Sequence, residues 1–449
     1  MITRQFNNDI SQEASILGRS SYNATDPAVW ITLISESEAR TRAQALITQY
    51  QSLPPSKLPQ LYGIPFSVKD SIDISNLPTT PRITTAFAIN RLLTAGAILI
   101  GKTNLDQFAT GTTGLRSPHG IPRCVYDPTY ICGGSSSGSA VSVAANLVSF
   151  AISTDTGGST RVPASLNGLV GLKPTLGTVS TTGLFPACNN IDCVCVMSKT
   201  IDDAETVYEA IRAFDETDIF SRRDLPTWDH PWRDPVRFAI PPNEQLAHLS
   251  PAYAALFGQF VTGLNSDSAS WCVQTEQDKF DYTPFAHATQ ILYDSSIVAQ
   301  RLLAFQPNIS THGLDALHPA IRATFQEALD RKFTATLAYE DIFQLAQCKR
   351  QSERAFREDM DVLIVPSTPA HFTIAEVQEE PMVRNKAMGR FTNFVNLLDL
   401  AAVSVPVGWW TGENGNELSF GVTIIGQAGR DTELTELARR VMGMEKVRV

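Results

Sequence analysis

Two Ser/Gly-rich stretches set the reading of this chain: Gly133-Gly134-Ser135-Ser136-Ser137-Gly138-Ser139 and Asp155-Thr156-Gly157-Gly158-Ser159-Thr160-Arg161. Gly/Ser-rich sequence is ordinarily a solvated linker. The residues between the two point elsewhere. Ala140 to Leu147 is small and apolar and predicts a buried helix, and Leu147 to Ile152 is a short apolar run of buried-strand length. Two serine-bearing glycine turns flanking a buried element describe a site rather than a spacer. A tight glycine turn lets backbone N–H groups converge on one point, which is what an oxyanion needs.

Outward from this centre, helical and extended patterns alternate. Upstream, Ser35 and Glu38 are spaced as a capping box, and Ala39, Ala43, Leu46, Ile47 and Tyr50 recur at helical spacing. Leu61 to Val68 reads as extended, leading into Lys69-Asp70. Arg91 to Ala97 predicts a helix and Ile98 to Gly101 a buried strand end. Downstream, helices are predicted over Asp202–Phe214, Pro251–Val261, Ser295–Phe305, His318–Phe333, Tyr339–Met360 and Asp431–Met442. Val362 to Pro366 is a short β run, and Thr392 to Val407 and Leu418 to Ile425 are further apolar segments. Ser221 to Pro242 is charged and Pro-rich. No repeat period and no convincing linker interrupts the pattern, so one α/β layer fold is expected across residues 1–449.

With 449 residues, 43% of them hydrophobic, the chain can bury a large core. Its net charge of -10 argues against a dedicated nucleic-acid binder. The N-terminal Met1 to Asp9 has no apolar stretch fit for a signal peptide, and no stretch reaches the length of a membrane span. Seven cysteines form no disulfide framework, and Cys188, Cys193 and Cys195 lack the spacing of a zinc site. Buried reduced thiols of a cytoplasmic protein, with no metal and no cofactor, are the expectation.

Three residues suit acyl transfer. Ser159 follows two glycines, Ser135 lies in the other turn, and Lys69 sits in the apolar run Ile64-Pro65-Phe66-Ser67-Val68. A serine hydroxyl needs a base, and a lysine can serve only if burial lowers its pKa toward neutrality. A surface lysine and plain turns are the simpler readings of the same residues. Two other site types fit less well. No phosphate-loop motif occurs. Gly134-Ser135-Ser136-Ser137-Gly138 formally matches a nucleophile elbow centred on Ser136, but it lacks a strong preceding strand and a marked histidine base.

Gly133 to Ala140, Asp155 to Arg161 and Gly168 to Pro174 together resemble the amidase signature family, over nearly the whole chain from about Pro59. The resemblance implies a large mixed central β-sheet covered by helices on both faces. It implies a catalytic core at about 59–200 and a helical substrate-pocket region at about 201–360 inserted in the same domain. It implies Ser159 as nucleophile, Ser135 after a cis peptide as relay, and Lys69 as base. The N–H groups of Thr156, Gly157, Gly158 and Ser159 would form the oxyanion hole, with Asp155 and Arg161 a scaffold ion pair. Gly101 to Gly111, Arg116-Ser117-Pro118, Thr373 to Val377 and Thr392 to Leu400 are similar to the allophanate hydrolase branch. There a Tyr and an Arg eight positions later hold the substrate carboxylate, and Tyr293 and Arg301 fall at those positions.

The expected reaction is hydrolysis of allophanate, or of a similar small carboxylated urea or amide, with release of ammonia. The expected partner is thus a small anionic amide, with neither nucleic acid nor membrane. Family members often pair as homodimers, though no interface signature stands out. The chain departs from the branch at residues 81–90, which look shortened, and at Ser295-Ser296-Ile297. It also ends soon after the amidase region, where many allophanate hydrolases carry a further domain. The alternatives are another amide or ester as substrate, an acyl acceptor other than water, one subunit of a tRNA-dependent amidotransferase, and a catalytically silent binding protein on the same fold.

Overall fold

The computed structural model describes residues 26–77, 84–228, 230–276 and 279–449. The strands are β1 (Trp30–Leu33), β2 (Pro65–Lys69), β3 (Ile98–Thr103), β4 (Phe150–Asp155), β5 (Val170–Lys173) and β6 (Cys193–Ser198). They continue with β7 (Val236–Ala239), β8 (Cys272–Gln274), β9 (Val362–Pro366), β10 (Leu400–Thr411), β11 (Glu417–Gln427) and β12 (Val447–Arg448). These twelve join one sheet in the order β1-β3-β2-β4-β6-β5-β10-β11-β9-β7-β8, with β12 beside β10. The sheet is mixed. β2 runs parallel to β3 and β4, and β7 to β8 and β9. The centre from β4 through β6, β5, β10 and β11 to β9 is antiparallel.

Strand alternation supplies both faces. Phe66, Val68, Phe150, Ile152, Val362 and Ile364 enter one core cluster with the helices Ile201–Ile211, Pro251–Leu264 and Asp431–Met442. The intervening Ala151, and Leu363 and Val365, enter clusters on the other face with the helices Glu36–Tyr50, Ser137–Ala144, Thr283–Asp294 and Ala335–Glu358. Helices therefore flank the sheet on both sides, as expected. Among the described residues no helix is long and apolar enough to cross a membrane.

Most predicted elements are present with shifted ends. The Ser35/Glu38 capping box forms, and β9 and the helix Asp431–Met442 occupy their predicted spans. The helix predicted from Ala140 begins at Ser137 instead. Gly138 is the reason: a Cβ there would collide with Val29 O, so the glycine is where this helix presses on the preceding chain. Left-handed Asn146 (φ 60°) then ends the segment, and the following strand slides from Leu147–Ile152 to Phe150–Asp155.

The charged stretch Ser221–Pro242 hides β7, whose four residues are too few for a periodic signal. The segment predicted as one helix from Ser295 is broken. Ser295 Oγ accepts from Ile297 N, capping a short turn before the helix Ala299–His312. Of the segment 81–90, residues 81–83 lie outside the described residues, as does the N-terminal Met1 to Asp9.

Candidate active site

Lys69 ends β2 and Asp155 ends the neighbouring parallel β4, so both reach the carboxyl edge of the sheet, where open α/β sheets place their ligands. Phe66 and Val68 face one core cluster, which turns Ser67 and Lys69 to the other face. Ser67 Oγ meets Ser142 Oγ on the helix Ser137–Ala144 at 2.9 Å. Lys69 is fully buried, so the snorkelling-lysine reading fails. Its Nζ lies 2.8 Å from Ser135 Oγ and 2.7 Å from Thr154 Oγ1. Burial lowers its pKa to about 7, against the opposing pull of Asp106, Asp155 and Asp192.

Ser135 follows a cis Gly134–Ser135 peptide bond. Two backbone contacts fix it: Gly134 N–H donates to Thr112 O (2.9 Å), and Ser135 O accepts from Asp106 N (3.0 Å). Ser136 N–H reaches Ser159 O at 3.2 Å, tying the two glycine turns together. Ser136 Oγ, the rival nucleophile, is buried and faces Thr154 O at 3.2 Å.

The second turn is built around a buried ion pair. Arg161 donates to Asp155 through Nε (2.9 Å) and Nη2 (2.7 Å), a two-pronged contact with neither side chain exposed. Burial would raise the Asp155 carboxyl, yet the Arg161 guanidinium and the hydrogen bonds hold it below its ordinary value. Arg161 also donates to Thr392 O and Asn396 Oδ1, and Thr392 Oγ1 donates to Gly157 O. Arg161→Met would leave the Asp155 charge buried and unpaired. A loss of about 3–5 kcal/mol in unfolding free energy is expected from denaturant titration. A loss below about 1 kcal/mol would count against the scaffold role.

The expected oxyanion hole is narrowed. Gly158 N–H donates to Asp155 Oδ1 at 2.7 Å, because its positive φ of 123° folds the turn back over that carboxylate. The N–H groups of Thr156, Gly157 and Ser159 have no backbone acceptor among the described residues. Thr156 is held from the side, its Oγ1 donating to Asp192 Oδ1 at 2.5 Å. Asp192 Oδ2 accepts from Ala187 N and Cys188 N, so one carboxylate joins the turn to the loop before β6. Burial pushes the Cys188 thiol up to about 12, leaving it protonated and inert. Cys193 and Cys195 are likewise buried and free.

Tyr293 and Arg301 come together across the helix break. Arg301 Nη2 lies 3.5 Å from Tyr293 OH, with the guanidinium 5.3 Å from the ring centre. Arg301 Nη1 donates to Thr110 Oγ1 at 2.8 Å, while Nε has no partner among the described residues. The side chain is 1% exposed, and no carboxylate lies within ion-pairing distance of it among the described residues. Leu292, next to Tyr293, abuts the glycine turn: a Cβ on Gly157 would lie 2.6 Å from Leu292 Cδ2. A cavity of about 240 Å³ beside Tyr293 is lined in part by Arg116, Arg331 and Lys386.

Lys69 thus contacts Ser135 directly, the backbone of Ser136 ties that turn to Ser159, and Tyr293 and Arg301 form a separate pair whose neighbour Leu292 abuts the second turn. Sequence reading missed Thr154, Thr110, Asp192 and Asn393. Thr154 adjoins the marked Asp155, and Asn393 lies within a segment already singled out, so position could have flagged both. Thr110 likewise lies within the singled-out Gly101 to Gly111, whereas Asp192 carries no local signal, since its role arises from contacts across the fold.

Comparison with known proteins bears on the family and the fold. The family model described as Amidase matches residues 19–435. The chain is 37% identical over 429 residues to the urea amidolyase of Saccharomyces cerevisiae, a match covering 92% of this chain and 22% of that one. It is 31% identical to a glutamyl-tRNA(Gln) amidotransferase subunit from Symbiobacterium thermophilum, covering 85% of this chain and 83% of that one. Among solved structures, the allophanate hydrolase of Kluyveromyces lactis superposes with a TM-score of 0.85 at 33% identity. That superposition covers 97% of this chain and 70% of the other. The chain therefore spans about a quarter of the urea amidolyases it matches, 22%, 23% and 26% of their lengths.

Proposed function

The chain belongs to the amidase family, and we propose that it hydrolyses allophanate, or a similarly small carboxylated urea or amide, releasing ammonia. Ser159 is the nucleophile, Ser135 the relay and Lys69 the base. The neutral Lys69 amine accepts the Ser135 proton as Ser135 accepts that of Ser159. Ser159 Oγ bonds to the amide carbon, and the carbonyl electron pair moves onto oxygen. That oxyanion rests on the N–H groups of Thr156, Gly157 and Ser159. As the carbonyl re-forms, the C–N bond breaks. The relayed proton passes to nitrogen, which leaves as ammonia. Water then attacks the acyl-enzyme by the same relay and frees Ser159.

The 2.8 Å contact between Lys69 Nζ and Ser135 Oγ supports the relay, as does an amine that titrates near neutrality. The observation that carries the substrate is Arg301. An unpaired guanidinium this deeply buried is costly, and a carboxylate beside Tyr293 would offset that cost through charge-assisted hydrogen bonds. The seven free cysteines suit a reducing compartment, so the same reading places the enzyme in the cytoplasm.

The test is ammonia release by the isolated chain from allophanate, malonamate and a neutral amide such as acetamide. The carboxylated compounds are expected to be preferred. Arg301→Leu should lower kcat/KM for them by about tenfold to a hundredfold, and far less for the neutral amide. Equal losses would remove Arg301 from substrate binding. Ammonia release without partner proteins would also separate this enzyme from a component of an amidotransferase complex.

A further inference from the structure

One polar group at the site is built in but unused. Asn393 follows Thr392 and precedes the short helix Phe394–Leu397. Its neighbours Thr392 and Asn396 are bonded to the glycine turn and its ion pair. Asn393 is 5% exposed, and its Oδ1 has no hydrogen-bond partner among the described residues. Buried carboxamide oxygens are rarely left so.

Two glycines make room for the carboxamide. A Cβ on Gly389 would collide with it, and a Cβ on Gly157 would lie 3.0 Å from Oδ1. The oxygen therefore faces the turn whose N–H groups receive the oxyanion. The same Gly157 position abuts Leu292, the residue before Tyr293. Asn393 thus borders the stretch between the carbonyl site and the carboxylate site. In a carboxylated urea, that stretch is a single bridging N–H.

We propose that Asn393 Oδ1 accepts the bridging N–H of the substrate and so selects a carboxylated urea over its methylene analogue. This rests on the reading of the reaction given above and adds the residue that distinguishes ureido from carboxamide substrates. Allophanate and malonamate share the carboxylate and the terminal amide, and differ by N–H against CH2. A CH2 would leave the Asn393 oxygen desolvated and unpaired, the kind of mismatch that discriminates strongly.

The experiment compares kcat/KM for the two compounds in the wild type, Asn393→Leu and Asn393→Ala. Fluorophosphonate labelling of Ser159 would show that each variant retains its machinery. The wild type should favour allophanate at least tenfold. Either variant should lower that ratio about tenfold or more, which corresponds to about 1.4 kcal/mol. A wild type with no preference overturns the proposal even if neither variant folds. So does a ratio unchanged in a labelled variant. Absence of turnover of either compound by the wild type removes the parent reading, and this one with it.

Discussion

Ser159→Ala is expected to lower kcat for the carboxylated amide by at least about a thousandfold, the scale of losing a covalent nucleophile. The side chain is small and sits in a turn already held by Asp155, Arg161 and Thr392, so unfolding free energy should change by less than about 1 kcal/mol. The variant should also lose its reaction with a fluorophosphonate probe. In the proposed relay Ser159 and Lys69 act as one unit, so adding Lys69→Met to Ser159→Ala should cost little further rate. Amide hydrolysis surviving in Ser159→Ala would sink the mechanism.

Lys69→Met is expected to lower kcat/KM by about a hundredfold to ten-thousandfold, the span of general-base catalysis. Its pH dependence is the sharper signature. In the proposed relay the unprotonated amine is the working form, so the wild-type rate should rise with pH through about 7 and level above it. The variant should lack that limb.

Stability carries the same sign. In the unfolded chain the lysine holds its proton to about pH 10.4, whereas in the fold it releases it near 7. Between those values the unfolded state binds the extra proton. Wild-type stability should therefore rise with pH relative to Lys69→Met, by at most about 1.4 kcal/mol per unit. This contribution is complete above the unfolded value and is lost as pH falls toward 7. A wild-type-minus-variant difference that stays flat from pH 7 to 9 would show that Lys69 keeps its proton.

Local pattern was sufficient wherever a residue's neighbours in sequence are also its neighbours in space. The Ser35 capping box is an example, as are the all-apolar run of β9 and the amphipathic helix Asp431–Met442. It faltered at four-residue strands such as β7, which pair only because β9 lies beside them. The start of the helix Ser137–Ala144 was also illegible, since Gly138 is placed by contact with Val29, far upstream.

Within the site, sequence singled out Lys69, Ser135 and Ser159 as candidates and Asp155 with Arg161 as a scaffold pair, and the family resemblance added Tyr293 and Arg301 and the roles proposed for all of them. Those identities sit in motifs that one short window can hold. Tertiary structure decided how they can work. It buried Lys69 between Ser135 and Thr154 and so brought its pKa near neutrality. It turned Gly158 N–H onto Asp155, withdrawing that donor from the turn. It also left Arg301 without an acid and Asn393 Oδ1 without a donor among the described residues. Desolvation and the pairing of polar groups depend on what the rest of the chain packs around them, and no local window of sequence contains that information.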